Sequence, residues 1–409
     1  MEEVPLNQLI LKDKMLILGA PGIGKTTYIR EYAEEQANKL KRKFVDFDEA
    51  DEEELRVVLK NPEKYYVFCR IVATQIHPED IMIPEKVTSR DVLLNLMLMN
   101  MFSNTKLLEE YIKEIKDLLT ERTSYFLQLP PLWVKVLSRK GIKGILFIDE
   151  ITNVQRDDVI TIFFALVNER KFGFTRISDD IKIILAGNEA IHSSVARPLP
   201  APLLNRLTVV RVAPPTLTSW VAWMDKKYEN RWERVTYAYL HNFKQDFIVL
   251  PKEVEGFENF PTPRSWTMLS LFLYEVAQER GKELLKMSKE EITKLYPYIR
   301  GYIGSEVGTK FLSFLTKFAN IPSLETVLNN PEVINKLDLE AKILTIYMLS
   351  QNHEKINKKV VKYLCKHCKE LMVLLVLLLP RKVREDFVIN KYPEELEEMY
   401  YEVFSDIYF

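Results

Sequence analysis

The chain has 409 residues, of which 47% are hydrophobic and 28% are charged, and its formal net charge at pH 7 is -1. That length exceeds what one hydrophobic core usually supports, so we expect two or three domains in an ordered protein. The near-zero net charge excludes a strong overall attraction to nucleic acid or to an anionic membrane, although a local basic patch is compatible with it.

No segment of the sequence has the character of a membrane span or of an export signal. The longest apolar stretch, Leu371 to Leu379, is about half as long as the roughly twenty residues that a membrane-spanning helix needs. No basic segment followed by an apolar one opens the chain, and three cysteines give no disulfide framework. We therefore expect a cytoplasmic location and no membrane partner.

The most informative stretch is a strand that runs into a glycine-rich loop and then into a helix. The apolar run from Met15 to Leu18 predicts a strand buried on both faces. The loop that follows has the pattern G-x-x-x-x-G-K-[ST]. With the next threonine, its residues are Gly19, Ala20, Pro21, Gly22, Ile23, Gly24, Lys25, Thr26 and Thr27. Beyond it, apolar residues recur at helical spacing from Ile29 to Leu40.

This composition suits a phosphate-binding loop. Glycines let consecutive backbone N–H groups turn inward and hold phosphate oxygens at the positive end of the following helix. Lys25 adds a charge for the β- and γ-phosphates, and the Thr26 hydroxyl completes the shell of a Mg²⁺ ion. ATP and Mg²⁺ are therefore the predicted ligands. The alternative is a chance glycine-rich turn, which the strand before and the helix after argue against.

A second apolar strand, Gly144 to Ile148, ends in two carboxylates, Asp149 and Glu150. The carboxyl edge of a parallel sheet is where open α/β folds bind ligands. Asp149 is the candidate for the water shell of Mg²⁺, and Glu150 for the base that orients the attacking water. Taken alone, the pair is equally compatible with a helix cap, but its combination with the phosphate loop favours the catalytic interpretation.

A third apolar strand, Ile181 to Ala186, leads to Asn188 at the same predicted edge. We expect its amide to hydrogen-bond the γ-phosphate or the attacking water. An Asx-type turn is the alternative for this residue, and its position alone does not decide between them. Before this strand, Lys171 to Arg176 is a glycine-centred segment that predicts a hairpin.

Two arginines stand out by their positions. Arg206 ends a short proline-bounded turn before a fourth predicted strand, Thr208 to Val212. Arg264 lies in the first turn of a helix that Pro263 opens, which is unfavourable for a cation unless an anion compensates it.

The period of the apolar residues divides the chain into parts. Over about Thr88 to Arg122 it becomes helical, which predicts an inserted helical hairpin. Beyond Pro214 it is helical throughout, so a domain boundary is expected there. We predict an α/β domain over 1–213, a helical segment over 214–285 and a C-terminal helical domain over 286–409.

In order and spacing, these motifs resemble those of the AAA+ ATPases, and within that superfamily the MoxR-like group. The resemblance covers about residues 10 to 275. The stretches that carry it are Gly19 to Thr26, Gln75 to Asp80, Ile145 to Asn153, Asn168 to Arg170, Ala186 to Asn188, Pro202 to Arg206 and Thr262 to Trp266. It implies a parallel sheet of order 5-1-4-3-2 flanked by helices, followed by an all-α lid and, here, a C-terminal helical bundle.

The resemblance also implies roles for single residues. Asn188 would be the sensor-1 residue, and Arg264 the sensor-2 arginine that reaches the γ-phosphate from the lid. Arg206 would be the arginine finger, which acts on the nucleotide of a neighbouring copy, so the active form would be a ring, usually a hexamer. A surface ion pair is the alternative for Arg206.

The client of such an ATPase is open at this point. The hairpin carries Phe172 and Phe174 beside Arg170, Lys171 and Arg176, a combination that suits a polypeptide, a nucleic acid or a merely solvated turn. Our first hypothesis is an ATPase that remodels a protein partner in a chaperone-like way. The alternatives are a DNA-dependent ATPase of clamp-loader or remodelling type, and a nucleotide-gated scaffold with negligible hydrolysis.

Overall fold

The computed structural model describes residues 3–77, 83–87, 125–189, 196–250, 258–281 and 283–396, and at 83–87 and 125–129 the backbone alone. The chain divides into two compact units, residues 1–20 with 25–213 and residues 21–24 with 214–409. The helical insert predicted at 88–122 lies outside the described residues. The separation of a lid over 214–285 from a C-terminal domain stays a prediction.

The first unit contains all of the described strands. In chain order they are β1 (Val4–Pro5), β2 (Met15–Leu18), β3 (Lys43–Asp46), β4 (Tyr65–Val72), β5 (Ile83–Val87), β6 (Tyr125–Leu129), β7 (Lys143–Asp149), β8 (Lys171–Phe172), β9 (Thr175–Arg176), β10 (Ile181–Gly187) and β11 (Thr208–Ala213). Seven of them form one parallel sheet in the order β1-β11-β2-β10-β7-β4-β3.

This sheet confirms the predicted fold class. If β3 is left out and the core strands are numbered along the chain, β2, β4, β7, β10 and β11 are strands 1 to 5. Their order in the sheet, β11-β2-β10-β7-β4, is then the 5-1-4-3-2 order that the resemblance implies. Two further strands extend it, the two-residue β1 at one edge and β3 at the other. β1 has two residues and is too short to give a strand pattern in the sequence.

The register of the sheet brings its carboxyl ends together. Gly187 at the end of β10 pairs with Leu18 at the end of β2, and Val72 at the end of β4 pairs with Asp149 at the end of β7. Polar residues that follow these strands therefore lie at one edge, where open α/β sheets bind their ligands.

The helices of the first unit are α1 (Lys25–Lys39), α2 (Glu52–Lys60), α3 (Leu132–Leu137), α4 (Asp157–Glu169) and α5 (Ala201–Leu204). α1 follows the glycine-rich loop directly, and Ile29, Ala33 and Ala37, four residues apart, are fully buried on one face. α2 is capped by the Asp51 carboxylate, which accepts from the backbone N–H of Glu54 at 2.7 Å.

Two antiparallel pairs complete this unit. β8 and β9 form the hairpin predicted at 171–176, with Phe172 opposite Thr175. β5 pairs with β6, with Ile83 opposite Leu129 at one end and Val87 opposite Tyr125 at the other. The sequence did not predict this ribbon.

The regular secondary structure described in the second unit is all helical. Its helices are α6 (Leu217–Tyr228), α7 (Val235–Asn242), α8 (Pro263–Glu279), α9 (Lys289–Thr293), α10 (Tyr296–Ile303), α11 (Ser305–Thr316), α12 (Leu324–Asn329), α13 (Leu339–Gln351), α14 (Lys358–His367), α15 (Lys369–Leu378) and α16 (Arg381–Asp386), and one π-helical turn spans Phe387–Lys391. One continuous hydrophobic cluster runs from Trp220 to Leu396. None of the helices in the described part of the chain has the length and apolar character needed to cross a membrane.

A buried ion network ties three of these helical segments together. Asp225 of α6 accepts from Arg234 at 2.6 Å and from Arg384 of α16 at 3.3 Å. Arg384 also donates to the carbonyls of Val376 and Leu379 at the C-terminal end of α15, where carbonyls lose the partners that a continuing helix would give. Burial lowers the pKa of Arg384, and Asp225 opposes that shift.

Gly144 of β7 leaves no room for a side chain. A Cβ placed there would lie 2.1 Å from the backbone carbonyl oxygen of Val67, its partner on β4. We expect Gly144→Ala to lower the free energy of unfolding of the first unit by about 3 kcal/mol, because a backbone atom cannot move aside as a side chain would. Chemical denaturation followed by a spectroscopic signal of the β-sheet measures this free energy of unfolding.

The matched control is Gly301→Ala in α10, where an added Cβ meets nothing within 4 Å. That change should raise the stability of the second unit by up to about 1 kcal/mol, because alanine favours a helix over glycine. Equal unfolding curves for wild type and Gly144→Ala would contradict this account of the β4–β7 packing.

Candidate functional site

The glycine-rich loop has a backbone that only glycine adopts without strain at two positions. Gly22 has φ +74° and Gly24 has φ +94°. A side chain at Gly22 would also meet Thr262, whose Oγ1 would lie 2.9 Å from the added Cβ, whereas the position beside Gly24 is open. The glycines of the motif are therefore required by the shape of the loop itself.

Lys25 is folded back over the loop. Its ammonium group donates to the carbonyls of Gly19 at 2.7 Å and Ala20 at 2.9 Å, and to Oδ1 of Asn188 at 3.0 Å. The residue is 9% exposed, and these acceptors compensate the burial of its charge. The structure thus brings together Lys25 and Asn188, two predicted site residues 163 positions apart in the chain.

Thr26 and Asp149 form the second contact of the site. The Thr26 hydroxyl donates to Oδ2 of Asp149 at 3.0 Å, and Asp149 is 8% exposed. A hydroxyl and a carboxylate side by side are the hard oxygen ligands that Mg²⁺ prefers, with the remaining positions left to water and phosphate. The described residues contain no group of three or more His, Cys, Asp or Glu side chains that would hold a metal by themselves.

Glu150 is exposed and has a left-handed backbone, with φ 57° and ψ 30°. Its own N–H donates to Oδ1 of Asp149 at 3.0 Å, and its carbonyl accepts from Asn153 at 2.9 Å, which closes a short 3₁₀ turn. This sharp turn ends β7 and presents the carboxylate to solvent at the sheet edge. Such strain in a non-glycine residue is typical of functional positions.

Asn188 is positioned by Thr152. Its backbone N–H donates to Thr152 Oγ1 at 2.9 Å, and the preceding Gly187 lies so close that an added Cβ would be 2.5 Å from Thr152 Cγ2. The side chain is therefore free to bind Lys25 while the backbone is held from the other side. Asn188 and Thr152 are neighbours only because β10 and the turn after β7 end at one edge.

Arg206 lies just after α5 and is exposed. Its guanidinium donates to Asn168 Oδ1 at 2.6 Å and to the carbonyl of Pro202 at 2.7 Å, and it sits 4.8 Å from the ring centroid of Phe164. All three of these contacts are with uncharged groups, so the charge is held in place without being neutralised by them.

Arg264 belongs to the second unit, in the first turn of α8. Thr262 and Ser265 form a capping box that starts this helix. The side chain of Arg264 is exposed, and its backbone N–H donates to the carbonyl of Gly22 at 3.2 Å. The loop residues 21–24 are grouped with this unit.

Sequence reasoning missed Arg70. It lies on β4 and donates to Oδ2 of Asp149 through Nε at 3.2 Å and Nη2 at 2.9 Å. A similar pair lies one strand further out, where Arg30 of α1 binds Asp46 at the end of β3 at 2.5 Å. The available signal was a single charge in the otherwise apolar run from Tyr65 to Val72, which is costly unless the charge has a partner.

The carboxylate of Asp48, just beyond β3, interacts electrostatically with Asp46 and Arg70. Partial burial and then the neighbouring carboxylate of Asp46 raise the pKa of Asp48, whereas Arg70 lowers it. The carboxyl edge of β3, β4 and β7 therefore carries alternating arginines and carboxylates.

The hairpin after α4 separates into structural and accessible residues. Phe172 is 1% exposed and packs on Trp133, with ring centroids 4.7 Å apart. Arg170 is buried as well and binds Asp13 at 2.7 Å. Phe174, by contrast, is 81% exposed at the tip. Of the residues grouped at this hairpin from the sequence, Phe172 and Arg170 stabilise the fold.

The backbone of Glu150 gives a test of the strained turn. Glu150→Gly should leave the free energy of unfolding unchanged or raise it by up to about 1 kcal/mol, because glycine adopts φ 57° without the cost that a side chain incurs. The control Glu35→Gly, within α1, should lower it by about 1 kcal/mol. Thermal unfolding compares the two, and equal destabilisation would show that Glu150 is not strained.

The sequence was compared with families of known proteins and with solved structures. A family model described as an AAA domain matches residues 12–194. No curated protein sequence matches the chain.

Two solved structures illustrate the structural matches. One is NtrX from Brucella abortus in complex with ADP, with 15% identity over 65% of this chain and 46% of that chain and a TM-score of 0.31. The other is Hsp104 in a closed state with ATPγS and FITC casein, with 15% identity over 55% of this chain and 33% of that chain and a TM-score of 0.26. The matched region spans less than half the length of either protein. The matched family model covers residues 12–194, less than half of this chain, and these residues include the strands β2, β4, β7 and β10 of the sheet.

Proposed function

We propose that this protein is a Mg²⁺-dependent ATPase of the AAA+ type. The observation that carries the proposal is the pair of contacts at the carboxyl edge of the sheet, Thr26 with Asp149 and Lys25 with Asn188. They join the phosphate loop to the ends of two other strands, where a triphosphate meets a cation and a polar sensor.

Each residue has a role in this proposal. Backbone N–H groups of Gly22 to Thr26 hold the phosphates, and Lys25 exchanges the carbonyls of Gly19 and Ala20 for β- and γ-phosphate oxygens. The Thr26 hydroxyl and, through water, Asp149 would hold Mg²⁺, which neutralises charge on those oxygens when bound.

The attacking water is oriented by the exposed carboxylate of Glu150. Asn188 donates its amide N–H to the γ-phosphate or accepts from that water, according to which side of the amide faces the site. Arg264 is assigned to the γ-phosphate as sensor 2. Because Arg206 is exposed and its contacts are uncharged, we assign it to the nucleotide of a neighbouring copy, so turnover requires a ring, for which we propose a hexamer.

A protein client, the MoxR-like assignment and a chaperone-like action form the finer part of the proposal. Support for a client comes from Phe174, an aromatic side chain 81% exposed at the tip of a hairpin that buried residues hold in place. An exposed aromatic anchor on a rigid base is a common feature of protein contacts.

ATP turnover by the purified protein tests the activity. Glu150→Gln should lower turnover by about 100-fold or more because it removes the base, while ATP binding is retained. Lys25→Ala should lose binding as well. The control Lys43→Ala changes an exposed lysine that pairs with Glu54 and should leave both ATP turnover and ATP binding unchanged. Full turnover by Glu150→Gln with assembly intact would contradict the mechanism.

The role of Arg206 in a neighbouring copy makes a separate prediction. Lys25→Ala and Arg206→Ala should each be inactive alone, but co-expressed copies should regain turnover at about one site in four, where an intact Lys25 meets an intact Arg206. Co-expression of Lys25→Ala with Glu150→Gln is the control, because both defects lie in one copy's own site. If the first mixture stays inactive, Arg206 does not act across an interface.

A further inference from the structure

The carboxylate of Asp149 accepts from four donors in this structure. Oδ2 binds Nε of Arg70 at 3.2 Å, Nη2 of Arg70 at 2.9 Å and the Thr26 hydroxyl at 3.0 Å. Oδ1 binds the N–H of Glu150 at 3.0 Å. Each carboxylate oxygen offers about two lone-pair positions, so the three donors on Oδ2 fill its acceptor capacity, whereas Oδ1 accepts from one.

Arg70 makes this arrangement unusual because it brings a full positive charge. Its side chain is 32% exposed and that of Asp149 is 12% exposed, so the pair is only partly screened by water. Two donors of one guanidinium on the same oxygen also fix the group geometrically. The water molecules bound to a Mg²⁺ ion would need to donate to the same oxygen, Oδ2 of Asp149. The guanidinium of Arg70 would also repel the ion.

We propose that Arg70 is the resident counter-cation of Asp149 and competes with the magnesium ion of the nucleotide for Oδ2. The inference rests on the proposed Mg²⁺-dependent ATPase and adds a residue that sets how tightly that ion is held. Arg70 is a positioning residue in this account, since it acts through Asp149.

The test measures metal binding in the absence of hydrolysis. Mn²⁺ is titrated into the full chain saturated with ADP, and free Mn²⁺ is followed by electron paramagnetic resonance. Arg70→Gln should tighten Mn²⁺ binding about five- to tenfold, since it removes the competing charge. Arg70→Lys retains the charge and should remain within about twofold of wild type.

Arg30→Gln is the matched control, because it breaks the neighbouring arginine–aspartate pair without touching Asp149. It should leave Mn²⁺ affinity within about twofold of wild type. Circular dichroism checks that each variant is folded, and Arg70→Met, which keeps most of the stem, takes the place of Arg70→Gln should the latter not fold.

Different results would overturn the proposed ATPase and the proposed competition for Asp149. A wild-type protein that binds no ADP would overturn the proposed ATPase itself. ADP and Mn²⁺ binding that Arg70→Gln leaves unchanged or weakens would overturn the competition alone, because an arginine that only supports Asp149 would loosen the metal site on removal.

Discussion

The contact between the Thr26 hydroxyl and the Asp149 carboxylate is the constraint on which the site depends. It joins the first turn of α1 to the end of β7, 123 positions apart, and it forms only if β2 and β7 end at the same level of the sheet. β10 pairs in parallel with both β2 and β7, and this pairing aligns the ends of the two strands. The other contacts of the site, from Lys25 to Asn188 and from Thr152 to Asn188, follow from the same alignment.

The sheet and the site could largely be predicted because their signals are local. Met15 to Leu18 and Gly144 to Ile148 are continuous apolar runs, as strands covered on both faces require, and each ends in residues whose chemistry is specific. Parallel topology then places those ends together without any knowledge of side-chain contacts.

What the sequence did not predict depends on partners far along the chain. A single charge in an apolar strand indicates that Arg70 needs a partner, but the local sequence does not identify that partner. It is Asp149, 79 positions later. Phe172 and Arg170 seemed available for a partner because their neighbours are polar, yet Trp133 and Asp13 bury or bind them. The ribbon β5–β6 was missed because Pro84, Glu85 and Lys86 weaken the strand pattern of Ile83 to Val87.

That ribbon has a consequence for the architecture of the chain. The backbones of Val87 and Tyr125 pair across an antiparallel ladder, so the two chain ends of the ribbon lie a few ångströms apart. The entropic cost of closing a loop grows only slowly with its length. The number of residues that join β5 to β6 therefore has little effect on the free energy of forming this ribbon, and insertions or deletions between its strands are compatible with the register of the seven-stranded sheet.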